Sequence, residues 1–146
     1  MDNSNLGDVA RAIQMSLAPV FLLSGISVLL GVLTARLARV VDRARGLEAR
    51  LSLATSVDAA DLHQQLRTLA KRARLMNWSI TLGTIAALLI ALVVAVLFAA
   101  ALYAFSAAEP VAFLFISAMA ALIVTLILFL SEVTLATQTI RIGPHP

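Results

Sequence analysis

The sequence predicts an all-α membrane protein with three transmembrane helices, the first two extended into an antiparallel helical hairpin on the cytoplasmic side. Hydrophobic residues make up 61% of the 146 residues and charged residues only 13%, which is too apolar for a soluble globular domain. In addition, the chain contains three long uncharged stretches, and one strongly basic segment separates the first of them from the other two. Residues 1–146 are therefore predicted to form a single integral membrane domain.

The three predicted spans differ in how clearly their ends are marked. The first, residues 12–35, follows an acidic leader and lacks a convincing cleavage site, so we expect it to be retained rather than removed as a signal peptide. The second, residues 77–105, contains Trp78 and Tyr103, which would lie about 37 Å apart, one at each headgroup level. The third, residues 111–134, follows Pro110, and we expect its helix to continue to about Ile140.

The basic segment between the first two spans predicts the orientation of the chain. Residues 34–74 hold nine basic and four acidic residues, whereas the leader holds only Arg11 and the C-terminal tail only Arg141. Positively charged loops stay on the cytoplasmic side of a membrane. We therefore expect the N-terminus outside and the C-terminus in the cytoplasm.

The same segment, residues 36–76, is predicted to be a helical hairpin with its turn near residues 53–57. Two packed helices are implied because apolar residues recur at helical spacing on both arms. Those residues are Val40, Ala44, Leu47 and Leu51 on the first arm and Leu62, Leu66, Leu69, Ala73 and Met76 on the second. No proline interrupts either arm, so we expect each span and its arm to form one long helix.

Small residues recur at every fourth position of the second span. This small-residue ladder consists of Ser79, Gly83, Ala87, Ala91, Ala95 and Ala99. Helices associate in lipid through close backbone approach, which small residues permit. We interpret the ladder as a helix-packing face, while noting that an alanine-rich helix also produces this spacing by chance.

The first span carries a polar stripe nearly opposite the apolar stripe of its own arm. Its members are Ser24, Ser27, Gly31 and Thr34. One interpretation is a packing contact through hydroxyl groups, made with the third helix or a neighbouring subunit. The other is the wall of a pore.

Glu132 is the one acidic residue inside the third span. By helix length it lies at the cytoplasmic end, at the depth of Arg36 and Arg39. The simplest interpretation is an ion pair with one of these arginines, and the alternative is an ion or proton site. It shares a helix face with Ser117, Ala121 and Thr125.

The remaining basic residues of the hairpin are candidate contacts to anionic lipid headgroups. We assign this role to Arg43, Arg50, Arg72 and Arg74. The segment lacks interleaved aromatic residues, so we expect no nucleic-acid partner.

No catalytic, cofactor-binding or metal site is predicted. The chain has no cysteine, and its two histidines, His63 and His145, are isolated from each other and from acidic residues at ligand spacing. Neither a Ser, His, Asp arrangement nor a glycine-rich phosphate loop is present. We therefore expect no enzyme activity and no cofactor.

Three segments carry a family resemblance: RLARVVDRARGL from Arg36, RARLM from Arg72, and FLSE ending at Glu132. With these segments, and over nearly its whole length, the chain resembles a bacterial inner-membrane family known only as a domain of unknown function. The resemblance implies a bacterial inner membrane and a three-helix layout, and it implies no activity. Its recognisable positions are here Arg36, Arg39, Arg43, Arg45, Arg72, Arg74 and Glu132.

The sequence leaves two functions open. The ladder and the polar stripe offer more contact surface than one protomer can satisfy, which predicts a homo-oligomer and makes an ion channel or pore one hypothesis. The alternative is a non-conducting membrane scaffold or regulatory subunit whose basic hairpin binds anionic lipid or a protein partner.

Overall fold

The computed structural model describes residues 3–52, 56–103 and 105–138, which form three α-helices. They are α1 (Asn3–Leu51), α2 (Ser56–Tyr103) and α3 (Ala108–Gln138). Within these described ranges the chain contains no strand. All three helices are long and apolar enough to cross a membrane, which confirms the predicted fold class of an all-α membrane protein.

The two long helices run without interruption from apolar into basic sequence. α1 has 49 residues and α2 has 48, so neither Arg36 nor Arg74 marks a helix end. Arginine is a good helix former, and a charged side chain does not by itself break the backbone hydrogen bonding of a helix. The predicted turn at residues 53–57 lies largely outside the described residues, and the side of the membrane on which the arms lie stays a prediction.

α3 begins ahead of its proline. The N–H of Val111 donates to the carbonyl oxygen of Ala107 at 3.0 Å, which closes the first helical turn. Pro110 then occupies a first-turn position, where its missing N–H would have had no partner within the helix. The predicted end near Ile140 lies outside the described residues.

The chain divides into two compact units, and the first comprises residues up to Leu30 together with Leu82–Val124. All three helices contribute to its core. The buried residues of that core are Ile26 of α1, Ala86 and Ile90 of α2, and Ala118 of α3. Two of these four residues are alanines, so the helix backbones approach closely, as is usual for helices packed in lipid.

The second unit comprises Gly31–Thr81 together with residues from Thr125 onward. Its core lies between the basic arm of α1 and that of α2, and consists of Val40, Leu47, Leu69 and Met76. Partly buried residues complete the two apolar stripes: Leu37, Ala44, Leu62, Leu66 and Ala73. The two arms therefore pack on each other through the stripes that the sequence predicted, except for Leu51, which is half-buried and not part of this core.

Burial recurs every seventh residue along each helix. On α1 the buried series is Ala12, Pro19, Ile26, Leu33, Val40 and Leu47. On α2 it includes Leu69, Met76, Gly83 and Ile90, and on α3 it is Ala118, Thr125 and Glu132. A period of seven is the spacing at which one side of a helix keeps facing a packed neighbour.

Candidate functional site

A carboxylate occupies a core position of α3. Glu132 continues the buried series of Ala118 and Thr125, and its side chain is 0% exposed. An ionised carboxylate removed from water is costly unless charged groups and hydrogen bonds compensate it. The contacts of Glu132 therefore determine what this position does.

Arg72 of α2 makes the shortest contact with this carboxylate. Its Nε and Nη2 groups both donate to Oε1 of Glu132, at 3.2 and 2.7 Å. Hydrogen bonds between two charged groups are the stronger kind, and two from one planar guanidinium also fix its orientation. The Arg72 side chain is 20% exposed, so the pair is largely shielded from solvent.

Arg36 of α1 faces the other carboxylate oxygen. Its Nη2 lies 3.3 Å from Oε2 of Glu132, which is an ion-pair distance. The angles are not those of a hydrogen bond, and within the described residues Oε2 has no hydrogen-bond donor. The attraction between Arg36 and Glu132 is therefore mainly that of two charges.

An aromatic ring contributes to the position of Arg36. Its Cζ lies 5.2 Å from the centroid of the Phe129 ring, within the range of a cation–π interaction. Phe129 precedes Glu132 by three residues, so both lie on the same side of α3. One turn of α3 thus offers a carboxylate and an aromatic face to the same guanidinium.

We call Glu132, Arg36 and Arg72 the Glu132 site. It joins all three helices of the second unit, one residue from each. Two arginines and one carboxylate leave a formal charge of +1, which disfavours a metal cation or a permeating cation at the carboxylate. Chemically, the arrangement is suited to holding the helices in one register.

A cleft of about 490 Å³ lies between the arms beside this site. Four of its lining residues are the arginines Arg36, Arg39, Arg43 and Arg72, and we call it the arginine cleft. Its apolar lining includes Val40, Leu69 and Met76, which belong to the core between the arms. Within the described part of the chain, none of its lining residues is acidic.

The sequence assigned some arginines to an ion pair with Glu132 and others to lipid contacts, and the structure changes part of this assignment. Glu132 is paired with Arg36, one of its two expected partners, whereas the other, Arg39, is exposed and lines the cleft. Arg72 was predicted only as a lipid contact and is instead the principal partner of Glu132. The other predicted lipid contacts, Arg43, Arg50 and Arg74, are exposed.

The polar stripe of α1 is exposed. The hydroxyls of Ser24 and Ser27 donate to carbonyl oxygens of their own helix, at 3.2 and 2.9 Å, so they can face lipid without losing hydrogen bonds. A Cβ added at Gly31 would meet no atom within 4 Å beyond its chain neighbours and the surrounding helix backbone, and Thr34 is also exposed. Their exposure within one protomer does not favour a contact with the third helix, and a contact with another subunit and a pore wall both stay predictions.

The small-residue ladder does not follow one face of α2. Ser79 and Gly83 are buried, Ala87 and Ala99 are half-buried, and Ala91 and Ala95 are exposed. Each step of four residues turns about 40° around a helix, so six members spread over about 200°. Ala87 packs against the core of the first unit, so within one protomer the packing part of the ladder consists of its first three residues.

The histidine that the structure describes has a local partner. His63 is exposed, and its Nδ1 donates to the carbonyl oxygen of Ala59 in the preceding turn at 2.6 Å. His145 lies outside the described residues. Within the described residues, no three His, Asp or Glu side chains are grouped so that they could hold a metal ion.

Comparison with known proteins places the chain in a family without an assigned activity. The family model described as "Protein of unknown function (DUF2721)" matches residues 16–142, which is most of the chain. This match confirms the resemblance to a domain of unknown function. No curated protein and no solved structure matches the chain.

Proposed function

The chain belongs to the DUF2721 family, and for it we propose the function of a non-conducting membrane scaffold or regulatory subunit whose basic arms bind anionic lipid. The observation that carries this proposal is the Glu132 site. The carboxylate that a cation pathway would need is 0% exposed and is held by Arg36 and Arg72. A buried, paired carboxylate serves helix register rather than the passage of ions.

The exposed charge of the arms supports a role at the membrane surface. Arg39, Arg43, Arg45, Arg50 and Arg74 are all exposed. The anionic headgroups of a cytoplasmic leaflet attract such residues by about 1 kcal/mol each. The proposal includes a bacterial inner membrane, as the family resemblance implies. It also includes an N-terminus outside and a C-terminus in the cytoplasm, and the distribution of basic residues supports this orientation.

A homo-oligomeric ion channel or pore is the second proposal, and the exposed polar stripe of α1 favours it. Ser24, Ser27, Gly31 and Thr34 present hydroxyls and open space on a span whose other exposed residues are mostly large and apolar. In a ring of several copies, this stripe is the surface of α1 best suited to a water-filled path.

Ion flux through liposomes separates the two proposals. The purified protein is reconstituted, its insertion is verified by protease protection, and flux of K⁺, Na⁺, H⁺ and Cl⁻ is recorded against empty liposomes. The scaffold proposal expects no flux above that of empty liposomes. Flux that scales with protein content, and that Ser27→Leu abolishes while the fold is kept, would establish the pore instead.

A further inference from the structure

The arginine cleft contains positive charge that the protein itself does not neutralise. Its four guanidinium groups carry a formal charge of +4, and Glu132 contributes −1 to the pair that it contacts, leaving +3. Within the described residues, Arg39 and Arg43 have no carboxylate at ion-pair distance. Like charges that line one cleft repel one another, so an anion bound among them is stabilised.

The position of the cleft along α1 indicates what kind of molecule carries that anion. At one end it is lined by Val32, a residue of the apolar span, and at the other by Arg43, about 16 Å further along the helix. On α2, Met76 and Leu69 mark its apolar side. A molecule that follows this cleft is apolar where the span ends and anionic along the arm, which describes a membrane lipid with a charged headgroup.

The positive charge of the arginine cleft and the geometry of its guanidinium groups indicate which kind of lipid headgroup fits. Guanidinium groups match phosphate oxygens with paired N–H donors. A phosphodiester carries one negative charge, whereas a phosphomonoester carries about −1.5 to −2 near neutral pH. An excess charge of +3 is matched more closely by the monoester.

We propose that the arginine cleft binds the phosphomonoester headgroup of an anionic membrane lipid, of which phosphatidic acid is the simplest. Arg39 and Arg43 are the principal phosphate ligands. Glu132 is a positioning residue, because it occupies Nε and Nη2 of Arg72 and leaves the Nη1 N–H groups of that guanidinium for the phosphate. This proposal rests on the proposed lipid-binding function of the arms and adds a defined site and lipid class to it.

The test measures lipid binding to the purified full chain in mild detergent, by native mass spectrometry and by thermal stabilisation. The probes are short-chain phosphatidic acid, phosphatidylglycerol and phosphatidylcholine, with glycerol 3-phosphate as a headgroup without chains. We expect phosphatidic acid to bind at least about tenfold more tightly than phosphatidylglycerol, the equivalent of one additional charge-assisted hydrogen bond.

Two double variants separate the cleft from general electrostatic attraction. Arg39→Gln with Arg43→Gln removes two exposed charges that line the cleft, and Arg67→Gln with Lys71→Gln removes two exposed charges of the neighbouring arm that do not line it. The first pair is expected to lose about tenfold in affinity for phosphatidic acid, and the second to change less than about twofold. Helicity measured by circular dichroism verifies that both variants are folded.

Each remaining outcome overturns a defined part of the proposal. Equal losses in both double variants, or equal affinity for the monoester and the diester, would overturn the specific site and leave the general lipid-binding function standing. If glycerol 3-phosphate binds as tightly as phosphatidic acid, the cleft takes a soluble phosphate, and the assignment of a lipid to the cleft is overturned. Equal binding of phosphatidylcholine and the anionic lipids would overturn both this site and the lipid-binding function.

Discussion

At the scale of single residues, Glu132 combines a core position with a charge. The buried series of α3 otherwise contains Ala118 and Thr125, which are small or uncharged. A carboxylate at the same face is tolerated because Arg72 donates two hydrogen bonds and Arg36 adds a second positive charge. Removing one member of such a group costs more than the group contributes when intact, because the others keep an uncompensated charge.

The two arginines are expected to differ in how much they stabilise the protein. Arg72→Gln removes two hydrogen bonds of 3.2 and 2.7 Å, whereas Arg36→Gln removes an ion pair of 3.3 Å without hydrogen-bond geometry. We expect Arg72→Gln to lower the free energy of unfolding by about 2 kcal/mol more than Arg36→Gln does. Thermal and denaturant unfolding in one detergent measures the difference.

Arg74→Gln is the matched control for this comparison, because Arg74 lies two residues from Arg72 and is exposed. Its loss is expected to change stability by less than about 0.5 kcal/mol. A larger effect of Arg36 than of Arg72 would contradict the assignment of Arg72 as the principal partner.

The pairing of Glu132 with Arg72 was beyond what one sequence determines. Helix length gives the depth of a residue in the membrane, and depth alone pointed to Arg36 and Arg39. The choice among arginines at similar depth depends on the rotation of α1 and α2 about their axes, which depends on packing throughout the unit. The seven-residue repeat was a usable signal, because it places Glu132 in register with Thr125 and Ala118.

At the scale of helices, the sequence predicted continuity better than it predicted contact faces. The absence of a breaker near Arg36 and Arg74 correctly indicated uninterrupted helices, and both arm stripes apart from Leu51 lie in the core of the second unit. The small-residue ladder was misleading because a spacing of four drifts around a helix, whereas a spacing of seven drifts by only about 20°.

The two kinds of ladder position are expected to respond differently to added bulk. Gly83→Leu places a large side chain at a buried position, so we expect it to lower thermal stability and to disturb the three-helix packing. Ala91→Leu adds the same kind of bulk at an exposed position and is expected to leave the stability of one protomer unchanged. Thermal unfolding and native mass measurement in mild detergent test both expectations.

The oligomeric state of the Ala91→Leu variant tests whether the exposed part of the ladder contacts a second copy of the chain. If the exposed part of the ladder packs against a second copy, this variant shifts the protein toward the monomer at unchanged protomer stability. A stable Gly83→Leu variant with native stoichiometry would contradict the burial of Gly83.

At the scale of the whole molecule, exposed apolar surface requires a lipid environment. Large apolar side chains are exposed on all three spans, among them Phe21 at 74% and Phe113 at 73%. Such surface is not stable in water but is ordinary in a bilayer. The exposed Trp78 and Tyr103 stand near the two ends of the apolar part of α2, as residues of the membrane interface do.

The orientation of the chain can be measured directly because the sequence contains no cysteine. Gly46→Cys places a thiol on the arm of α1, where an added Cβ meets no atom within 4 Å beyond its chain neighbours and the surrounding helix backbone. Ser106→Cys places one at an exposed position between α2 and α3. The positive-inside rule predicts that an impermeant maleimide labels Ser106→Cys in intact bacterial cells. Gly46→Cys is expected to react only after the membrane is permeabilised, and the reverse pattern would contradict the predicted topology.

The most direct test of the account is to measure stability and ion flux together on Glu132→Gln, which keeps the shape of the side chain and removes its charge. With the carboxylate held between Arg36 and Arg72, we expect the free energy of unfolding in detergent to fall by about 3 kcal/mol, and flux through liposomes to stay at the level of empty liposomes. Glu109→Gln, an exposed acid on the same helix, is expected to change neither quantity. A Glu132→Gln protein of native stability with altered ion flux would contradict the account and assign Glu132 to an ion pathway.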